Sequence, residues 1–295
     1  MPAIDQLTRF ETGQGFIAAL DQSGGSTPKA LRDYGIADDR YSTDEEMFDL
    51  INAARTRIVL SPSFDSSRIL AAILFQGTLD RQIDGTEFAR YLWEKKQIVP
   101  ILKIDKGLLE EQDGVQLMKD IPGLEQTLAD AHGRGVFGTK ERSVIHSANA
   151  DGIKRVVAQQ FEVASTVLAA DMVPILEPEV SIKAPDKVEA EEQLKAELLN
   201  GLQELGDVKV SIKITIPTVD DFYADLIAHP KVARVVALSG GYSRDDACAR
   251  LARNPGLIAS FSRALLDGLT DQQDDAEFDR TLNDSIEVIY RASVD

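Results

Sequence analysis

Ile98-Val-Pro-Ile-Leu-Lys103 is a short apolar run closed by a single charge. A run that short and that apolar reads as a buried strand, and the lysine at its tail breaks the pattern. The same break recurs along the chain. Val136-Phe-Gly-Thr-Lys140 and Val208-Lys-Val-Ser-Ile-Lys213 also end in lysine, Val173-Pro-Ile-Leu-Glu177-Pro-Glu179 ends in two carboxylates, and Gly15-Phe-Ile-Ala-Ala-Leu-Asp21 ends in an aspartate. A buried charge must be paired or change its protonation. One shared polar pocket, placed where the strands end, accounts for all of these charges at once. A lysine crowded by other cations in such a pocket loses its proton readily and becomes a nucleophile. That points to Schiff-base chemistry on a carbonyl compound.

Eight apolar runs have strand character, near residues 15–20, 69–75, 98–104, 135–139, 172–176, 208–214, 232–238 and 256–261. Helical periodicity fills the intervals. Ile153, Val156, Val157, Phe161, Ala164, Val167 and Leu168 follow a period near 3.6, and so do Leu194, Leu198, Leu199, Leu202 and Leu205. Thr43 or Asp44 caps a helix through Met47, Leu50 and Ile51, and Phe278, Leu282, Ile286 and Ile289 mark a final helix expected to close over a barrel end. Eight strands alternating with helices, without a linker, predict an α/β fold: a single (β/α)8 TIM barrel forming one domain over residues 1–295. A doubly wound open sheet is the runner-up. Its glycine-rich turn should follow the first strand, whereas Gly13-Gln-Gly-Phe-Ile-Ala18 precedes it. In a barrel, chemistry gathers at the C-terminal ends of the strands, where the charges lie.

The 295 residues carry a formal net charge of -17. Nucleic acid and anionic membranes need a basic footprint, so neither is an expected partner. Scarce positive charge concentrated at strand ends makes a cationic pocket within an acidic shell, which suits a small anionic substrate. No stretch approaches the ~20 apolar residues of a membrane span, and the N-terminus lacks the features of a signal peptide. The single cysteine, Cys248, leaves no disulfide framework and reads as a packed helix residue. A cytoplasmic protein is expected, with self-association into a homo-oligomer left open. His132, His146 and His229 lie apart and none ends an expected strand, so no metal site is expected.

Lys213 is the candidate nucleophile, with Lys140 the neighbour that disfavours a second ammonium. Glu177 and Glu179 flank Pro178, and one is expected to face into the barrel and the other away. A carboxylate among lysines can shuttle protons during carbinolamine dehydration. Asp21 is placed to take the hydroxyl proton that starts carbon–carbon cleavage. After it, Gln22-Ser-Gly-Gly-Ser-Thr-Pro-Lys29 offers hydroxyls, backbone amides and a cation, the groups a phosphate needs. The last two strand ends, Leu238-Ser-Gly-Gly-Tyr-Ser and Ser260-Phe-Ser-Arg263, supply amides, hydroxyls and a guanidinium where barrels often hold a phosphate. Two such loops on opposite sides of one mouth imply a phosphate at each end of the substrate. Arg142 is placed to help with either.

Taken in order, Ala19-Leu-Asp-Gln-Ser-Gly-Gly-Ser-Thr-Pro-Lys, Leu102-Lys-Ile-Asp-Lys-Gly, Gly138-Thr-Lys-Glu-Arg, Val173-Pro-Ile-Leu-Glu-Pro-Glu, Ser211-Ile-Lys, Leu238-Ser-Gly-Gly and Ser260-Phe-Ser-Arg-Ala-Leu closely resemble the bacterial branch of class I fructose-bisphosphate aldolases. The resemblance covers nearly the whole chain. It implies a lyase of glycolysis and gluconeogenesis that cleaves fructose 1,6-bisphosphate reversibly to dihydroxyacetone phosphate and glyceraldehyde 3-phosphate. Carried over motif by motif, Lys213 forms the Schiff base, Lys140 keeps it deprotonated and assists carbinolamine formation, Glu177 is the inward general acid and base, and Asp21 drives cleavage. Ser239, Gly240 and Arg263 hold the phosphate nearest the ketone, and Gly241 and Ser260 are further candidate phosphate-binding residues. Ser23, Ser26 and Lys103 hold the other. No metal or organic cofactor is implied.

The resemblance has one departure. Animal-type members carry a C-terminal tail whose terminal tyrosine assists proton transfer to the enamine, whereas this chain reads Val294-Asp295 soon after its last helix. The enamine's proton donor is therefore open between a phosphate oxygen of the intermediate and a water. Two other readings compete: a lysine-dependent aldolase for another phosphorylated ketose, and a non-catalytic barrel scaffold. The complete set Asp21, Lys140, Glu177 and Lys213 argues against the scaffold.

Overall fold

Eight strands form the inner wall of the molecule: β1 (Phe16–Ala19), β2 (Ile69–Leu74), β3 (Val99–Lys103), β4 (Gly138–Ile145), β5 (Val173–Val180), β6 (Val210–Thr215), β7 (Val232–Leu238) and β8 (Ile258–Phe261). The structure is a computed structural model and describes residues 4–22 and 27–294. The strands pair in the order β3-β2-β1-β8-β7-β6-β5-β4, all parallel, and β3 pairs with β4 to close the ring. The eight expected apolar runs are these eight strands.

Their alternation explains why the pocket is where it is. Along β5 the residues on one face are Val173, Ile175, Glu177 and Glu179, and along β3 they are Val99, Ile101 and Lys103. Each inward column starts apolar and ends charged. Ile17, Val99, Ile101, Val173, Ile175, Val236 and Ile258 fill the lower barrel as one packed cluster. The charged ends above that plug form the floor of the mouth.

The outer helices include α1 (Ile4–Thr12), α2 (Asp44–Leu60), α3 (Phe88–Lys96), α4 (Leu124–Gly133), α5 (Ala150–Ala169), α6 (Lys187–Glu204), α7 (Arg244–Leu251) and α8 (Asp275–Val294). Thr43 caps α2 through a reciprocal box: its hydroxyl accepts from the Glu46 amide, and the Glu46 carboxylate accepts from the Thr43 amide. Asn149 caps α5, accepting from the Gly152 amide at 2.9 Å.

Two expectations need correction. First, β4 and β5 do not stop at their charges. The run expected to end near Lys140 continues to Ile145, and the run expected to end near Leu176 continues to Val180. The parallel ladder carries through Arg142 opposite Glu177 to Ile145 opposite Val180, because inward charges that find partners do not interrupt backbone pairing. The extension also places His146 directly after β4, where it bonds Gln116 at 2.9 Å and lies outside the mouth. Second, α8 does not cover a barrel end. It packs along β8, β1 and α7 on the outer wall. The lower end is closed instead by α1, whose Phe10 joins the interior cluster and packs against Phe137. Arg234 ties α1 down by donating to the carbonyls of Phe10 at 2.8 Å and Gly13 at 3.1 Å.

Candidate active site

Lys140, the third residue of β4, is almost fully buried and lies between two carboxylates. Its Nζ is 2.9 Å from Asp21 Oδ2 and 2.8 Å from Glu177 Oε2, with Asp105 Oδ2 farther off at 3.9 Å. The other oxygen of Glu177, Oε1, is 3.0 Å from Lys213 Nζ on β6. One carboxylate thus bridges two lysine Nζ atoms contributed by the strands on either side of it. Lys103 Nζ bonds Asp105 Oδ1 at 2.8 Å and so extends the chain of alternating charge to β3.

Burial alone would neutralise these groups; their mutual pairing reverses that. Desolvation pulls the Lys140 ammonium down, but Asp21, Glu177 and Asp105 outweigh it and hold the group well above the usual lysine range. Desolvation pushes Asp21 and Glu177 up, and Lys140 with Lys213 brings both below their usual values. Asp21, Lys140 and Glu177 are therefore held in their charged forms.

A cavity of about 1740 Å³ opens above this network. Its wall includes Asp21, Lys103, Lys140, Arg142, Glu177, Lys213, Ser239, Gly240, Ser260 and Arg263. Gly240 has a left-handed φ of 64°, and a Cβ there would meet Ile182 Cγ2 at 2.7 Å, so this turn after β7 requires glycine. Gly241 lies beside Arg263: a Cβ on it would stand 3.8 Å from Nη2. The barrel thus brings the four candidate catalytic residues together and sets the candidate phosphate loop of β7 and β8 on the same mouth. Ser23 and Ser26 lie outside the described residues.

The two β5 carboxylates follow a simpler rule than the one expected. Residues two apart on a strand share a face, so Glu177 and Glu179 both line the cavity. Glu179 Oε2 receives Arg142 Nε at 2.5 Å. Burial acts to lower the Arg142 pKa, but Glu179 and Glu177 together raise it.

These features have counterparts among known proteins. A family model described as fructose-bisphosphate aldolase class-I matches residues 7–217. A fructose-bisphosphate aldolase class 1 from Synechocystis is 55% identical over 294 residues, covering 99% of this chain and 98% of its own length. One from Porphyromonas gingivalis is 54% identical over 290 residues, covering 98% and 99%. The chain belongs to the class I fructose-bisphosphate aldolase family. A solved structure of the Plasmodium falciparum fructose-bisphosphate aldolase, in complex with TRAP and a small-molecule inhibitor, has the same fold, with a TM-score of 0.76 at 21% identity over 99% of this chain and 95% of that one.

Within this candidate site, sequence reasoning missed three residues. Asp105 lies two residues beyond Lys103, which was itself a signal, since equal parity returns it to the mouth. Gln160 on α5 is fully buried; its Nε2 donates to Ser143 Oγ at 3.1 Å and its Oε1 accepts from the Glu177 amide at 3.1 Å. It sits among apolar α5 positions, and helical periodicity alone does not distinguish it from them. Arg55, buried within α2, also lines the cavity.

Proposed function

We propose that this chain cleaves fructose 1,6-bisphosphate reversibly to dihydroxyacetone phosphate and glyceraldehyde 3-phosphate through a Schiff base on Lys213, as a single barrel domain working in the cytoplasm. The observation that carries the assignment of roles is Glu177 bridging Lys140 and Lys213, with Asp21 on the far side of Lys140. Glu177, bonded to Nζ at 3.0 Å, first takes the ammonium proton of Lys213, which then attacks as the free amine. The amine adds to the C2 carbonyl, and one of its remaining N–H protons passes to the carbonyl oxygen to give a carbinolamine. Glu177 returns the proton to the departing hydroxyl, water leaves, and an iminium remains. Asp21 then takes the C4 hydroxyl proton. The C3–C4 bond breaks, its electron pair moves into the iminium as an enamine, and the aldehyde departs. Protonation at C3 and hydrolysis of the iminium release the ketone and restore Lys213.

Lys140 balances Asp21 and Glu177 throughout, so neither carboxylate is left as an unpaired buried charge. The iminium is the electron sink, so the sequence of steps needs neither a metal nor an organic cofactor. Ser239, Gly240, Gly241, Ser260 and Arg263 hold the phosphate beside the ketone, and Ser23, Ser26 and Lys103 serve the other end, with Arg142 between them.

The test is borohydride reduction in the presence of dihydroxyacetone phosphate, followed by peptide mass mapping. A reduced adduct on Lys213 is expected. An adduct on Lys140 or Lys103 would overturn this assignment of roles, and an active enzyme with no adduct would overturn the Schiff base.

A further inference from the structure

Arg55 is 2% exposed, yet among the described residues no carboxylate lies within ion-pair distance of it. A buried cation without a counter-ion is costly. Burial lowers its pKa to about 10, with Asp21 the one charge acting against that, so it is still a cation at neutral pH. The side chain is nonetheless held firmly. Nη1 donates to Thr78 Oγ1 at 2.8 Å and to Asn52 Oδ1 at 3.3 Å, Nη2 donates to the Gln22 carbonyl, and Thr78 in turn bonds Asn52 at 2.7 Å. Of the five guanidinium N–H donors, these contacts use three. Nε is buried with no hydrogen-bond partner among the described residues, and one Nη2 hydrogen remains.

Position adds to this. Arg55 lines the cavity in the sector of the β1, β2 and β3 ends, together with Asn52, Gly77 and Lys103. The ketone-side loop of Ser239 and Arg263 belongs to β7 and β8, across the mouth. Lys106 and Lys119 stand on the rim of the same cavity, and no carboxylate among the described residues is within ion-pair distance of either. Arg55, Lys106 and Lys119 are thus three cations of this sector with no ion pair among the described residues, and the most buried of them has a donor unused.

We propose that Arg55 is a further residue that binds the phosphate at the aldehyde end of the bisphosphate, beside Lys103, its guanidinium pre-oriented by Asn52 and Thr78. The proposal rests on the aldolase mechanism proposed for Lys213 and names the specificity determinant within it. A phosphate supplies the missing counter-ion and accepts the unused donors, and such charge-assisted hydrogen bonds are the strong ones. A ligand with a single phosphate beside its ketone does not reach this sector.

The experiment measures Arg55→Lys and Arg55→Met with two probes. The first is KM for fructose 1,6-bisphosphate in cleavage. The second is the concentration of dihydroxyacetone phosphate that half-saturates borohydride trapping at Lys213. Both variants should raise KM by about tenfold to a hundredfold, the effect of losing a charge-assisted pair, with half-saturation by dihydroxyacetone phosphate unchanged. Arg55→Lys keeps the buried charge while losing the fork, and it carries the test if Arg55→Met does not fold. A fall in kcat at unchanged KM would show instead that Arg55 only positions Asp21 through Gln22, and equal losses on both probes would show a general structural role. Either result overturns the proposal, as does no change in either. Absence of the Lys213 adduct in the unmodified protein would refute the aldolase mechanism itself, separately from Arg55.

Discussion

Lys213 and Glu141 show how differently two buried ionisable side chains can be used. Lys213 shares Glu177 with Lys140, so removing it leaves Glu177 paired and the network standing. Lys213→Ala is expected to reduce cleavage to background while the far-ultraviolet circular dichroism spectrum stays that of the parent; turnover in that variant would end the Schiff-base assignment. Glu141, one residue beyond Lys140, is turned out of the barrel by alternation. It is fully buried, and neither carboxylate oxygen has a hydrogen-bond partner among the described residues. Burial, then Asp105 and Glu177, raise its pKa well above the usual value against the opposing pull of Lys140. A carboxyl with a raised folded-state pKa favours folding fully below its unfolded pKa and loses that contribution as pH climbs toward the folded value. Glu141→Gln keeps the shape without the titration. Thermal melts from about pH 4 to about pH 9, spanning the ordinary glutamate value of ~4.3, should show no difference at the acid end. The variant should become progressively the more stable as pH rises. A constant offset at every pH would mean that Glu141 does not titrate in this way.

Among the elements, α5 does more than cover the barrel. Gln160 projects from it to Ser143 on β4 and to the Glu177 amide on β5, so one helix sets the spacing of the two strands that carry Lys140 and Glu177. Gln160→Leu has nearly the same volume but leaves the Ser143 hydroxyl and the Glu177 amide unpaired in the interior. Each such group costs about 1–3 kcal/mol, so urea unfolding should show a loss of roughly 2–5 kcal/mol, and kcat should fall as Glu177 shifts. A variant as stable as the parent would mean that the two groups find other partners. The same elements mark where the sequence was hard to read. The strands were legible because their inward columns begin apolar. The extents of β4 and β5 were not, since paired inward charges resemble the end of an apolar run. The role of α1 was not legible either, because Phe10 gains meaning only once the barrel gives it an end to close.

At the scale of the whole molecule, two kinds of electrostatics coexist and respond differently to salt. The surface carries most of a formal net charge of -17 and repels itself over distances comparable with the Debye length, ~10 Å at 0.1 M salt. The Asp21–Lys140–Glu177–Lys213 network works at 2.8–3.0 Å between nearly fully buried side chains, where screening is weak. Raising salt from about 0.01 M to about 0.3 M at neutral pH should therefore raise Tm by relieving surface repulsion. Lys140→Met removes the central cation and leaves Asp21 without its ion pair, a change of the kind that costs roughly 3–5 kcal/mol when one partner of a buried pair is lost. Because that deficit arises inside the barrel, the gap in Tm between the parent and Lys140→Met should be the same at both salt concentrations while both values move upward together. A gap that closes as salt is added would mean that ions reach Asp21 and Glu177, and that the site is open to solvent rather than sealed by its own pairing.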